Sequence, residues 1–256
     1  MKIIVSVKQV PSRDANLRVN ASGTWLDESD LTYEINEPDA YALEEGLQLK
    51  EKSGGEVVVL CLGPARAAQS IREALAKGAD RAIHALLENS GALDALTTAQ
   101  LLAKAVEPES PDLILTGLQS DDLGYGQTGV LLAEMLGWTH ATIVMDVELA
   151  ASQLRVKREL EDGWFQYVAL PLPAVLTIQS GIKKLRYATL MGIKRSKSKE
   201  IKTLQAVDLG VDLSGATGFD RIYAPERKKA TQLFTGDARQ AAAQLVEKLK
   251  FEARVL

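Results

Sequence analysis

Two hydrophobic periods alternate along the first half of the chain, and this alternation constrains the fold more than any other feature. Residues 2–7, 56–62 and 112–116 are short apolar runs rich in β-branched side chains, the pattern of strands buried on both faces. Helical patterns separate and follow them, over residues 39–52, 65–77, 94–106 and 126–135. In the first of these, Ala42, Leu43, Leu47 and Leu49 are apolar while Glu44, Glu45, Lys50 and Glu51 are polar, which gives a helix one buried stripe. Strands alternating with helices of this length imply βαβ units and a doubly wound α/β fold with a mainly parallel sheet.

The pattern changes further on. Residues 143–149, 153–160, 164–170 and 174–178 read as strands with short links, and Asp162-Gly163 between two of them is a tight-hairpin signal. The sheet is therefore expected to gain an antiparallel hairpin. Residues 183–202 then carry eight basic residues (Lys183, Lys184, Arg186, Lys194, Arg195, Lys197, Lys199, Lys202) and one acid, Glu200. Little apolar periodicity returns until a final helical pattern at 236–251. The expected organisation is an α/β domain over 1–182, an extended arm over 183–235 lying on another surface such as a partner chain, and a helix in 236–256.

Composition narrows the chemistry. A single cysteine, Cys61, excludes an internal disulfide and a cysteine-based zinc cluster, and two histidines, His84 and His140, argue against a multi-histidine metal site. A net charge of −4 gives no overall case for nucleic-acid binding. No stretch approaches the about 18 uninterrupted apolar residues of a membrane helix. The opening Met1-Lys2-Ile3-Ile4-Val5 runs straight into a strand pattern and resembles neither a signal nor a transit peptide, so a cytoplasmic location is expected. Any chemistry is expected to come from a bound organic cofactor or a partner.

The most informative segment is Thr116-Gly117-Leu118-Gln119-Ser120-Asp121-Asp122-Leu123-Gly124-Tyr125-Gly126-Gln127-Thr128-Gly129. It follows an apolar strand and precedes a helix, where ligands of open α/β sheets bind. Its amides and the helix start near Gln127-Thr128 suit a phosphate; a flexible connector with a capped helix explains the same residues. It is neither a Walker loop nor a GxGxxG fingerprint. Ser6 and Leu62 close two other strands and either face the same crevice or simply pack. Asp39 is a natural helix cap in Ile35-Asn36-Glu37-Pro38-Asp39, and Asn36 is open to capping or to reading a base or ribose.

No catalytic pair emerges. His84 lies in an apolar stretch and reads as buried or at an edge. His140 follows Trp138 in an expected turn with no acidic orienter, and Cys61 reads as a packed small hydrophobe. The basic stretch after Lys183 reads as a solvated loop, a phosphate patch, or a docking surface for an acidic partner. Leu190, Met191 and Ile193 inside it fit the last, since an apolar anchor in a charged rim is the anatomy of a protein contact.

At this point the chain closely resembles the electron transfer flavoprotein β-subunit family. Val156-Lys157-Arg158-Glu159-Leu160-Glu161-Asp162-Gly163, continuing through Gln166 to Pro173-Ala174-Val175-Leu176-Thr177, resembles the family's signature segment. Arg186-Tyr187-Ala188-Thr189-Leu190-Met191-Gly192-Ile193-Lys194 resembles its recognition loop. Residues 3–10, Asn36 with Leu43-Glu44-Glu45, Gly63-Pro64 and Ala76-Lys77-Gly78-Ala79-Asp80-Arg81 match in order, so the resemblance covers nearly the whole chain. Gly117-Leu118-Gln119-Ser120 and Arg158-Glu159-Leu160-Glu161 look most like bacterial members.

The resemblance implies an adenine-nucleotide-binding α/β domain in a heterodimer with an α subunit, which holds most of one redox FAD. It implies a structural AMP in this chain, matched by position to Ser6, Asn36, Glu37, Pro38, Asp39, Leu62 and Gly117, Leu118, Gln119, Ser120, Asp121, Asp122, Leu123, Gly124, Tyr125, Gly126, Gln127 and Thr128. The family positions that face the α-subunit flavin fall near Arg13 and Pro38, where members often carry aromatics, so no flavin contact is assigned to them. Leu190 matches the anchor that inserts into a partner dehydrogenase, with Tyr187, Met191, Ile193, Lys194 and Arg195 around it. The implied function is to accept electrons from acyl-CoA or amine dehydrogenases and pass them to a membrane quinone reductase. Electron-bifurcating relatives instead oxidise NADH at a second FAD where AMP sits. Their loop typically reads Asp-Gly-Asp-Thr-Ala-Gln-Val-Gly-Pro, a string this sequence lacks, which favours AMP. A stand-alone nucleotide sensor of the related α/β class is a third reading.

Overall fold

A computed structural model describes residues 1–88, 93–150, 153–181, 183–215, 217–225 and 231–256. In chain order the strands and helices are β1 (Lys2–Ser6), β2 (Gln9–Pro11), β3 (Tyr33–Ile35), α1 (Glu37–Ser53), β4 (Glu56–Gly63), α2 (Ala68–Lys77), β5 (Arg81–Leu86), α3 (Ala95–Val106), β6 (Leu113–Gly117), α4 (Thr128–Leu136), β7 (Thr139–Ala150), β8 (Gln153–Glu159), β9 (Phe165–Pro171), β10 (Ala174–Ile178), α5 (Leu190–Ser196), β11 (Ile201–Gln205) and α6 (Ala238–Phe251). They fall into two compact units, Met1–Ile222 and Tyr223–Leu256.

The first unit is built on a nine-stranded sheet in the order β11-β5-β4-β1-β6-β10-β7-β8-β9, and β2 pairs antiparallel with β3 in a small separate sheet. From β11 to β7 every neighbouring pair is parallel. The antiparallel β7-β8-β9 meander completes one edge. Its turn places Asp162 at φ 56° and Gly163 at φ 77°, the positive values a tight hairpin of matching twist requires.

The apolar runs are continuous because both faces of the sheet are covered. Ile3 and Val5 pack with Leu43, Leu47, Ile71 and Leu75 of α1 and α2, while Ile4 packs with Leu102 of α3 and Leu132 of α4. The chain runs from β1 outward through β4 to β5, then returns by α3 to β6 on the other side of β1. This reversal opens a crevice beyond the carboxyl ends of β1 and β6.

His84 is buried, as its apolar surroundings suggest, within β5, with Nε2 3.1 Å from the Gly63 carbonyl. Two expectations need correction. His140 lies in β7 beside Val175 of β10, not in a turn. Residues 183–205 are not an extended arm. The helix α5 packs on α2, and β11 adds a parallel edge strand to β5. The basic side chains permit this because three are used internally. Lys183 meets Asp146 at 2.9 Å, Arg186 meets Glu44 at 2.8 Å and Glu51 at 2.6 Å, and Lys199 donates to the Leu75 carbonyl at 2.9 Å. Arg72 of α2 donates back to the Lys199 carbonyl at 2.8 Å.

In the second unit α6 starts at a capping box: Asp237 accepts from the Gln240 N–H and Gln240 accepts from the Asp237 N–H. Among the described residues, no helix is long and apolar enough to cross a membrane.

Candidate nucleotide cleft and docking helix

The crevice widens into a cleft of about 890 Å³. Asp39, in the first turn of α1, is buried at its inner end and ties three elements together. Its carboxylate accepts from the Lys8 N–H beyond β1 at 2.7 Å and from the Gly117 N–H at the end of β6 at 2.9 Å. Gly117 allows this approach, since a Cβ there would lie 2.3 Å from Asp39 Oδ1 and 2.7 Å from Pro38 Cβ. Burial pushes the Asp39 carboxyl up to about 7, against the pull of the Lys8 and Gly117 amides and the nearby Asn36 amide.

Asn36 precedes α1, but its side chain neither caps the helix nor projects free to read a base. The amide donates to the Gln119 carbonyl at 2.9 Å and accepts from the Asp121 N–H at 2.9 Å, so both ends pin the 117–128 loop. Lys8 reaches the same loop, 2.7 Å from Asp122 Oδ1 and 3.4 Å from Ser120 Oγ. The loop is thus held from β1 and α1 and ends at the start of α4. The Gln127 side chain does not cap that helix, and Gly126, Gln127, Thr128 and Gly129 at its start line the cleft.

Of the sequence-derived candidates, Ser6, Asn36, Asp39, Leu62, residues 117–123 and residues 125–128 line the cleft. Glu37, Pro38 and Gly124 do not. Pro38 supports Gly117 from behind, and Glu37 offers its N–H to Asp121 at 3.3 Å and pairs with Arg13. The structure adds Gln9, Tyr33, Arg66, Trp25, Thr98 and Phe219. Gln9 Oε1 and the Tyr33 hydroxyl are buried with no hydrogen-bond partner among the described residues. Buried polar atoms of this kind ask for a polar ligand, which fits a nucleotide's donors and acceptors. Cys61 is fully buried, and that burial pushes its thiol up to about 12, so it offers no nucleophile.

The docking candidates lie elsewhere on the first unit. Thr189 caps α5 by accepting from the Gly192 N–H at 3.0 Å, and Leu190 opens the helix with 88% of its surface exposed. Tyr187, Met191 and Ile193 are also exposed, and Lys194 and Arg195 make no ion pair with a described residue. An apolar tip is thus held rigidly from below by Arg186 and Arg72 while its charges stay free.

A family model described as the electron transfer flavoprotein domain matches residues 23–209. The electron transfer flavoprotein subunit beta of Bradyrhizobium diazoefficiens is 39% identical over the whole of both chains. That of Methylophilus methylotrophus is 37% identical over 96% of this chain and 97% of its own. The human electron transfer flavoprotein subunit beta is 35% identical over 100% of this chain and 99% of its own. Family match and full-length relatives agree with the signature and recognition-loop resemblance: the chain belongs to the electron transfer flavoprotein family, as a β subunit with an electron transfer role.

Proposed function

We propose that this chain is the β half of a heterodimeric electron carrier in the cytoplasm, that its cleft holds an AMP of structural role, and that the α subunit holds most of the FAD. The observation that carries the reading is the cleft itself: a polar-lined space at the switch point, a pinned loop ending at a helix start with no side-chain cap, and the unpartnered Gln9 Oε1 and Tyr33 hydroxyl. The residues that would hold AMP are those of the 117–128 loop with Ser6, Leu62, Asn36 and Asp39, the last two by fixing the loop. FAD, when bound in the complex, supplies the redox chemistry. This chain contributes nucleotide binding, rigidity and docking.

The α5 tip is the docking element. Leu190 seats on the partner dehydrogenase of acyl-CoA or amine type, and Lys194, Arg195 and Lys197 steer encounter with an acidic surface. Electrons then pass to a quinone reductase. The competing reading is a bifurcating subunit with a second FAD that oxidises NADH. Anaerobic titration separates the two. Substrate plus catalytic dehydrogenase is expected to bleach the flavin of the complex, and NADH alone is expected to leave it oxidised. Direct bleaching by NADH overturns the carrier reading.

A further inference from the structure

The chain ties a short strap to two walls of the cleft, one from α3 and one from residues 24–25. Thr217 donates its N–H to Asp94 Oδ2 at 3.0 Å. Asp94 caps α3, whose Ala95, Thr98 and Leu102 form one wall. Five residues on, Ile222 donates its N–H to the Gly23 carbonyl at 2.8 Å, next to Thr24 and Trp25 of a second wall. Between these ties the Phe219 ring lies 6.0 Å from the Trp25 ring, tilted by 40°. Phe219 and Ile222 themselves line the cleft.

The keeper that receives the strap is fixed in place. Trp25 Nε1 donates to Glu28 Oε1 at 3.0 Å, Arg66 meets the same oxygen at 3.0 Å, and the Arg66 guanidinium lies 4.1 Å over the Tyr33 ring. The strap has no regular secondary structure, and Phe219 is 41% exposed. An irregular, partly exposed segment of this kind can open without disturbing the sheet.

We propose that residues 217–222 form a latch over the cleft and that its opening sets the rate at which a bound nucleotide exchanges. This rests on the reading of the cleft as an AMP site. The test uses the purified αβ complex and follows replacement of bound AMP by a fluorescent etheno-AMP chase. Phe219→Ala and Trp25→Ala are each expected to speed release about tenfold, and the double variant no further, because both remove the same ring pair. Release at the wild-type rate from Phe219→Ala and Trp25→Ala overturns the latch. A complex that carries no AMP refutes the ligand reading instead, and the latch is then decided by maleimide labelling of a Thr98→Cys reporter, with Cys61 buried and silent. Labelling about tenfold faster when Phe219→Ala is added supports the latch, and equal labelling rates overturn it.

Discussion

Asp39→Asn isolates the energetics of the buried carboxylate that joins β1, α1 and β6. Burial raises this carboxyl from its ordinary 3.8 to about 7. Between those values the folded chain keeps a proton that the unfolded chain has lost, so stability falls as pH rises from about 4 to about 7. At about 1.4 kcal/mol per pH unit the loss approaches about 4 kcal/mol at pH 8. Asparagine matches the protonated acid in shape and charge, but its NH2 cannot accept, so one of the Lys8 and Gly117 N–H groups loses its partner at every pH. The variant is therefore expected to lie about 1–3 kcal/mol below wild type at pH 5 and to gain on it by a few kcal/mol between pH 5 and pH 8. Urea unfolding of nucleotide-free protein at pH 5, 6, 7 and 8, read by circular dichroism, measures both curves. Two backbone N–H groups aimed at the carboxylate work in the opposite direction, each worth about 1.5–3 kcal/mol to a charged acceptor. Parallel pH curves would show that these amides outweigh burial and refute the reasoning.

Three further substitutions probe the cleft and the docking tip. Gly117→Ala forces a methyl onto Asp39 and Pro38 and is expected to cost about 1–3 kcal/mol and to empty the cleft, checked by Tm and by nucleotide content. Leu190→Ala removes an exposed side chain, so stability should move by less than about 0.5 kcal/mol while reduction by the dehydrogenase slows with AMP and FAD content unchanged; loss of both cofactors would assign Leu190 a folding role. Arg186→Gln leaves the buried Glu44 without its guanidinium and is expected to cost about 2–3 kcal/mol in urea unfolding and to slow reduction as Leu190→Ala does, because α5 loses its support.

The parallel core was legible because strands buried on both faces must be apolar throughout, as β1, β4 and β6 are. β5 was hidden by Arg81 and His84, which interrupt its run although Ala82, Ile83 and Ala85 are fully buried. β11 was masked by Lys202 and the basic residues before it. Charge density suggested a solvated arm, yet this edge strand exposes Lys202, Thr203 and Gln205 while Ile201 and Leu204, on opposite faces, stay half-buried against the two core layers. The 117–128 loop stood out because glycines and small polar residues collect at a strand end. Asn36 could not be decided from sequence, since an amide before a helix serves equally as cap, reader or clamp, and only the positions of Gln119 and Asp121 make it a clamp. Trp25 and Phe219 carry no local pattern that joins them; their contact exists only once the chain has folded.

The central claim is that this β subunit carries a structural AMP beside a single FAD held mainly by its partner. Co-expression with the α subunit, denaturation of the purified complex and quantification of the released nucleotides test it most directly. The account predicts one FAD and one AMP per heterodimer. Two FAD and no AMP would contradict it and make the 117–128 loop part of a second flavin site.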